Sequence, residues 1–539
     1  VASKARPTGR VFNDRTLGDL PNAPRIVADV RAARARLSGM PERWRERIVS
    51  RWITARLPVE GDTPWWAAGR RCCAWHDLEA VRERAARCAF KGIDAATSRG
   101  DIETIAEAQA TRCYRIVQQG DSHCVGEVMA VLNEWQIEHE IFDLASLWKT
   151  TEEKWWRRKL RRVHALTVER SAIALGFVGA GKEKYLSDES LKLWEQGERA
   201  TRQWLESTVM QADDGRRCTL AELADTSPAS LPVRRAELMQ RIRGIEEYEK
   251  TRGTVCLFVT ITCPSRFHAM KNTARGAVPN DKYRGESPRE AQAHLVATWA
   301  AIRKDLNREG VAMHGVRIAE PHHDGCPHWH MLLWCAPNHA AHVQSVISAH
   351  ALAVDGDEDG AIRYRTKFER IDTSKGSAVS YIAKYLAKNV PDVKQSGLTR
   401  AGKDIIKSSE NWFSADKAEK KADVRPMVWA RVWGIRQFQF FGSVAVTLWR
   451  VARKIKSLPA DLLSMLHRDG ERKADFAAFI TYVKSTGLTL WREWSVRVNH
   501  YGDGVGWVVR GLTDANENHY YLPQRAWRVV RDDENSPST

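Results

Sequence analysis

The sequence predicts an α+β protein in three stretches: a mostly α-helical region over residues 1–250, a central domain over 251–395 with an antiparallel sheet and flanking helices, and a mixed α/β region over 396–539. Three observations predict it. Between about residues 30 and 250, apolar side chains recur at three- and four-residue spacing among Ala, Arg, Glu and Leu, with few Gly or Pro, which is the period of helices with one buried face. Just past residue 251 the texture changes to the β-branched run VCLFVTIT, which Cys263, Pro264 and Ser265 end as a strand running into a loop. After it, strand-like and helix-like segments alternate, the pattern of antiparallel strands with helices between them.

Taken in order, the central stretch reads as a strand near 254–262, a basic Gly/Pro loop to 286, and a helix from Ser287 to Arg308. Strands follow near 313–320 and 328–335, joined by a tight loop, then a helix near 338–352, a strand near 361–371 and a helix near 376–389. Gly and polar residues over 392–404 mark a linker, and the aromatic run VWARVWGIRQFQFFG opens what reads as a separate C-terminal subdomain. Its last part alternates apolar and polar residues around Gly502 to Gly506, a hairpin signal, before a polar acidic tail.

Composition narrows the function classes. With 539 residues, 43% apolar and 28% charged, the chain is long enough for several domains and has neither the profile of disorder nor that of a membrane protein. A net charge of +17 points to a polyanionic partner, nucleic acid first. The first 25 residues carry Pro, Arg and Asp where a signal peptide needs an apolar stretch, and no run of 18 apolar residues occurs, so the expectation is a protein that stays in the compartment where it is made. Ten Cys without close regular spacing read as reduced, mostly buried side chains. The 22 Trp suit base stacking, although core packing explains most of them.

The sharpest local feature is PHWHMLLW from Pro327. Residues two apart on a strand share a face, so His328 and His330 point one way and Trp329 and Met331 the other. The loop from Pro321 to Pro327 is short enough to fold back and bring Glu320 alongside His328. Two imidazoles and a carboxylate with open positions can hold Mg or Mn against a phosphate oxygen. The same spacing also fits a His-rich loop, with His322 and His323, that holds no metal. In the segment from Ser380 to Lys388, Tyr381 and Tyr385 lie four apart, about 6 Å along a helix and on one face, with Lys384 and Lys388 as a second spaced pair. A phenol is a weak nucleophile at neutral pH, but it can attack phosphorus when a metal polarises the phosphate and a cation stabilises the phenolate. Two Tyr at this spacing also fit plain packing.

Three motifs, FVTITCPS (Phe258 to Ser265), the His-hydrophobe-His triplet of His328, Trp329 and His330, and the Tyr381/Tyr385 pair, occur in the order found in HUH endonucleases. The segments RRAELMQRIRGIE, TCPSRFHAM, EPHHDGCPHWHMLLW and WGIRQFQFFG resemble more closely the bacteriophage replication gene A protein family, over roughly residues 150–450. The resemblance implies that the central stretch is an HUH nuclease domain with an RRM-like palm, with Glu320 as third metal ligand beside His328 and His330. It implies a rolling-circle initiator: one Tyr attacks a single-stranded origin in supercoiled duplex DNA, leaving a 5′-phosphotyrosine and a 3′-hydroxyl for a host polymerase, and the second Tyr serves the later cleavage and rejoining. Lys384 is the candidate for stabilising phenolate or phosphate, or else part of a solvated face. A separate, host helicase is expected, because helicase motifs are missing, and the setting expected is the cytoplasm of a bacterial host. A relaxase or transposase of the same chemistry, and a noncatalytic sequence-specific DNA-binding protein, are the alternatives.

Weaker signals remain. The WWRRKLRR run with Arg157, Arg158 and Arg161, and the loop with Lys271, Arg275, Lys282 and Arg284, read as DNA contacts or as solvated basic faces, and Lys388 joins the same group. Gly176 to Lys182 has the spacing of a phosphate-binding loop, but Glu183 stands where Ser or Thr should be, so no ATPase is expected. Cys72, Cys73 and His76 resemble a zinc fragment without its second half.

Overall fold

The computed structural model describes residues 23–54, 78–120, 123–139, 141, 144–273, 276–372, 376–390, 423–467, 474–498, 504–523 and 527–530. The chain divides into two compact units. One comprises 1–190, 268–285 and 498–503, the other 191–267, 286–497 and 504–539. The stretch 391–422, which contains the linker read at 392–404, and the Cys72, Cys73 and His76 group lie outside the described residues.

The first unit is built mainly from helices α1 (Ala23–Arg36), α2 (Glu42–Thr54), α3 (Leu78–Ala86), α4 (Arg99–Gln118), α5 (Cys124–Glu134), α6 (Leu144–Lys149) and α7 (Glu153–Ala174). Ser98 and Asp101 start α4 by bonding each other's backbone N–H groups, which satisfies donors the helix cannot pair itself. Ile102, Ala106, Ala110 and Cys113 then form one buried face, packed with Val128, Val131 and Leu132 of α5 and Trp156 and Leu160 of α7. Each large apolar side chain buried there contributes about 1.5–3 kcal/mol. Trp156 also donates from Nε1 to the Thr150 carbonyl at 2.7 Å, so its polar edge is not left dry. The unit also holds a hairpin of β4 (Met270–Thr273) and β5 (Gly276–Pro279), in a stretch the sequence reads only as loop.

α8 (Asp188–Ser207) leads into β1 (Val209–Ala212) and β2 (Arg217–Thr219), an antiparallel pair about a turn with Gly215 at φ +82°. They interrupt a stretch that is otherwise mostly helical among the described residues. These strands are short and mixed in polarity, and β1 finds its second partner only at the far end of the chain, in β13 (Trp527–Val529).

After α9 (Leu220–Asp225) and α10 (Leu231–Thr251), the second unit forms an antiparallel five-stranded sheet in the order β8-β3-β7-β6-β9. Its strands are β3 (Val255–Thr262), β6 (His314–Pro321), β7 (Pro327–Cys335), β8 (Thr366–Arg370) and β9 (Phe438–Phe441). α11 (Pro288–Arg308), capped by Ser287 and Glu290, precedes β6, and α12 (Ala340–Leu352) follows β7. The strand expected over 361–371 is shorter. Gly360 takes a left-handed φ of +81° and starts a helical turn, α13 (Ala361–Tyr364), while buried Arg365 donates to the Ala351 and Val354 carbonyls and pairs with Glu358. Only then does the chain extend as β8.

The tyrosine helix α14 (Ala378–Asn389) and α10 lie on the sheet face formed by Phe258, Val316, Ile318, Leu332 and Trp334. The stretch beyond 396 takes part in the same core: β9 pairs with β6, and α16 (Val446–Ala452), α17 (Ala460–Leu466) and α18 (Phe476–Thr486) supply Leu448, Trp449, Leu462, Phe476 and Phe479. Gly244 of α10 has no room for a Cβ against Phe476 and the Ala477 backbone, which is how α10 and α18 pack so closely. α15 (Arg425–Trp433) precedes β9. The hairpin signal near Gly502 corresponds to β10 (Thr489–Val498) and β11 (Gly504–Thr513), neighbours in a three-stranded sheet with β12 (His519–Tyr521). Trp44, Trp156, Trp329, Trp429, Trp433 and Trp449 are fully buried, in keeping with a packing role for the Trp excess. Among the described residues no helix is long and apolar enough to cross a membrane.

Candidate metal and tyrosine site

The site begins with strand register. In the β6–β7 hairpin Glu320 lies directly across from His328, and Ile318 across from His330. The residues 322–326 close the hairpin: the His322 N–H donates to the Cys326 carbonyl at 2.7 Å and the Gly325 N–H to the His322 carbonyl at 2.9 Å, with Gly325 at φ +87°. Alternation along both strands then puts Glu320, His328 and His330 on the face that carries α14. Their ligand atoms all lie within 4.8 Å of one another.

His330 and Glu320 are held from behind. His330 Nδ1 meets Thr260 Oγ1 at 3.1 Å, which turns Nε2 of that ring toward His328 Nε2, 3.0 Å away. At that distance two imidazole nitrogens share one proton or one cation. Glu320 is 1% exposed, and Lys388 Nζ donates to its Oε2 at 3.0 Å while Asn389 Nδ2 donates to Oε1. Two imidazoles and a carboxylate on one sheet face suit a divalent cation with open positions. The three side chains thus form a group that can hold a metal ion.

Asn389 does more than bond Glu320. It also donates to the Tyr385 carbonyl at 2.7 Å and accepts from Gln437 Nε2 at 2.7 Å, and Gln437 donates on to the Pro426 carbonyl at 3.3 Å. Asn389 and Gln437 are both buried, so this chain ties the carboxylate to the last turn of the tyrosine helix and to the approach to β9. At its other end α14 is capped by Ser377 and by Glu246 of α10, whose carboxylate accepts from the Ala378 N–H at 2.6 Å. A negative charge there also complements the helix dipole.

Tyr381 and Tyr385 are half-buried against the core of the second unit. The Tyr385 ring lies 4.1 Å from the His330 ring and 5.6 Å from Phe258, centre to centre. Phe258, from the first motif, is stacked on His330 at 5.5 Å, and Ser265 of that motif anchors Glu358 through its N–H at 3.0 Å. Lys384 belongs to α14, but its side chain lies outside the described residues.

The residues read as DNA contacts are distributed otherwise. Lys388 turns to Glu320 and so belongs with the metal group. Arg157 and Arg161 of α7 pair with Glu103 of α4 at 3.7 and 3.2 Å, which neutralises part of that basic face, while Arg158 is exposed. Lys271 is exposed and pairs with Asp281 at 2.6 Å, Lys282 and Arg284 are exposed, and Arg275 lies outside the described residues. Lys271, Lys282 and Arg284 all belong to the first unit, whereas the metal group is in the second. In the glycine-rich stretch near 176–182, Lys182 Nζ folds back onto the Gly176 carbonyl at 2.9 Å and Glu183 binds Arg47.

Sequence reading missed Thr260, Glu246, Asn389 and Gln437. Asn389 carries a signal, since it stands four residues after Tyr385 and so shares its helix face. Gln437 carries none, because its partner is 48 residues away.

Comparison with known proteins places the chain among phage replication proteins. Residues 90–392 match the family described as bacteriophage replication gene A protein. A probable replication protein of Pseudoalteromonas phage PM2 is 37% identical over 360 residues, covering 66% of this chain and 54% of that protein. The replication gene A protein of Escherichia phage 186 is 35% identical over 380 residues, 68% of this chain and 52% of the relative. A "probable replication endonuclease from prophage-like region" of Salmonella paratyphi A is 33% identical over 354 residues, 62% and 42%. The chain spans about half the length of the curated relatives it matches. No solved structure matches it. By the extent of the match, the chain belongs to the bacteriophage replication gene A protein family.

Proposed function

We propose that the protein initiates rolling-circle DNA replication by nicking one strand of an origin through tyrosine transesterification. The observation that carries this is the juxtaposition of Tyr385, its ring 4.1 Å from His330, with the carboxylate and imidazole group of Glu320, His328 and His330. A divalent cation, Mg or Mn, held by those three side chains would withdraw charge from a scissile phosphate. The chain's own groups do the rest. Tyr385 or Tyr381 attacks phosphorus through its phenolic oxygen, the bond to the 3′ oxygen breaks, and the products are a 5′-phosphotyrosine and a free 3′-hydroxyl. Lys384 is assigned the stabilisation of phenolate or phosphate charge. Lys388 and Asn389 orient Glu320.

The phosphodiester energy stays in the adduct, so no nucleotide triphosphate is consumed. With one Tyr esterified, the other cleaves the regenerated origin, and the 3′-hydroxyl so released attacks the first adduct and closes the circle. In this reading the activity resides in residues 251–395 together with β9, a host polymerase extends the 3′-hydroxyl, a host helicase opens the duplex, and the protein acts in the cytoplasm of a bacterial host. The relative named as a replication endonuclease supports it.

The test is direct. The protein is incubated with Mg or Mn and labelled single-stranded DNA from its own replicon, and a denaturing gel is read for protein carrying label. A labelled band that disappears with chelator and with the double change Tyr381→Phe, Tyr385→Phe is the expected result. Tight binding with no adduct on any fragment would instead make the chain a DNA-binding module.

A further inference from the structure

The edge of the five-stranded sheet carries a charge cluster that the nicking reading does not use. β9 is the last strand in the sheet order, and its Phe438 and Phe440 share a face by alternation. Arg241 of α10 lies over Phe440, its guanidinium carbon 3.6 Å from the ring centre. This side chain is 6% exposed, and its buried Nε has no hydrogen-bond partner among the described residues. Burial and the positive charges of Arg450 and Arg436 pull its pKa down to about 10 against the attraction of Glu237. Glu237 is already committed to Arg450, with two hydrogen bonds of 2.7 Å in a fork-to-fork pair.

Arg234, on the same helix, lies 5.9 Å from Phe438, and the charges of Arg431, Arg450 and Arg436 act on it as well. Arg436, exposed just before β9, acts on both. On the opposite face, Arg317 is 3% exposed, stacks on Trp329 at 3.8 Å and bonds Gln439, yet its buried Nη1 has no partner among the described residues. The charges acting on it are those of Arg436 and Arg303, both positive.

A buried guanidinium nitrogen without an acceptor is costly, and Arg234, Arg241 and Arg436 repel one another while Glu237 is committed to Arg450 and Glu198 to Arg431. A multivalent anion relieves both costs. Planar guanidiniums interleaved with aromatic rings match a phosphate backbone, since the fork binds phosphate oxygens in pairs. We propose that this edge, where Arg234 and Arg436 flank the buried Arg241, is a second DNA contact that grips the sugar–phosphate backbone. The proposal rests on the protein acting on DNA but not on its cutting it.

The test is therefore made without cleavage. Binding of a fluorescent 20-nucleotide strand and of its duplex is measured by anisotropy in chelator at several salt concentrations. The full chain is compared with Arg234→Gln/Arg436→Gln and with a control, Arg199→Gln/Arg308→Gln, that removes two exposed charges elsewhere in the same unit. Removing two cations that each neutralise a phosphate lowers the slope of log K against log salt by about 1.4 for the single strand and about 1.8 for the duplex. That drop in either arm, absent from the control, is the expected result and identifies the strand form held. An unchanged slope in both arms, or an equal drop in the control, overturns the proposal. An adduct that forms normally with unchanged slopes would leave the nicking reading intact while this one fails.

Discussion

Asn389→Ala removes one side chain and three hydrogen bonds: to Glu320, to the Tyr385 carbonyl and from Gln437. The bond to the carboxylate is worth about 1.5–3 kcal/mol and each of the two neutral ones about 0.5–1.5 kcal/mol, so the loss is about 2.5–6 kcal/mol. The cost is not only thermodynamic. Without Asn389, Glu320 keeps Lys388 as a partner and is free to rotate toward it, away from the histidines. Loss of a partner that orients a metal ligand typically costs 10–100-fold in metal affinity. The assay is a calorimetric Mn titration of wild type and variant, with single-turnover nicking followed as a function of Mn. Half-saturation is expected to rise about 10–100-fold, with duplex binding in chelator within a few fold of wild type. A folded Asn389→Ala protein that binds Mn with unchanged affinity would refute the idea that this amide positions the carboxylate.

Other expectations follow the same geometry. His328→Ala and His330→Ala together abolish cleavage but leave duplex binding within a few fold, and full nicking by the double variant would remove the metal group from the mechanism. Tyr381→Phe and Tyr385→Phe each retain some single-step cleavage or joining, measured on short strands, but lose release of closed circles; unchanged circle release by either would sink the two-nucleophile scheme. In the first unit, Glu169 is fully buried, and desolvation pushes its carboxyl from 4.5 up to about 7 against hydrogen bonds from Ser190 and Ser187. Because the folded state favours the protonated acid, this contribution, about 3 kcal/mol, is present below pH 4.5 and is lost as pH rises through about 7. Denaturant unfolding between pH 4.5 and 8 should therefore show a decline in wild type that Glu169→Gln flattens, and parallel curves would count against the assignment.

What the sequence makes legible is whatever repeats locally. The face shared by His328 and His330 follows from a period of two, that of Tyr381 and Tyr385 from a period near four, and the placing of Glu320 opposite His328 from a loop too short to do anything but turn back. What stays hidden is set by distance along the chain. Lys388 looks like a surface cation until the fold brings Glu320, 68 residues earlier, to its ammonium. β9 looks like part of a separate region until it pairs with β6. The strands at Val209–Ala212 and Arg217–Thr219 lack the alternation that would mark them, and the sheet they form takes its third strand, Trp527–Val529, beside Val209–Ala212 from the other end of the chain. Residues 361–364 miss their strand reading because Gly360, at φ +81°, starts a helical turn there, and Arg365 after it is anchored to the Ala351 and Val354 carbonyls.

The pairing between β6 and β7 also works as a proofreading step. A slip of one residue in that hairpin would send Glu320 and the two histidines to opposite sides of the sheet, since neighbouring side chains alternate. A molecule zipped out of step would thus lack the ligand group altogether rather than hold a distorted version of it. The ligand group is therefore complete only when the ladder beside the turn at residues 322–326 is in register, and on the proposed nicking reading a copy out of register would not cut DNA.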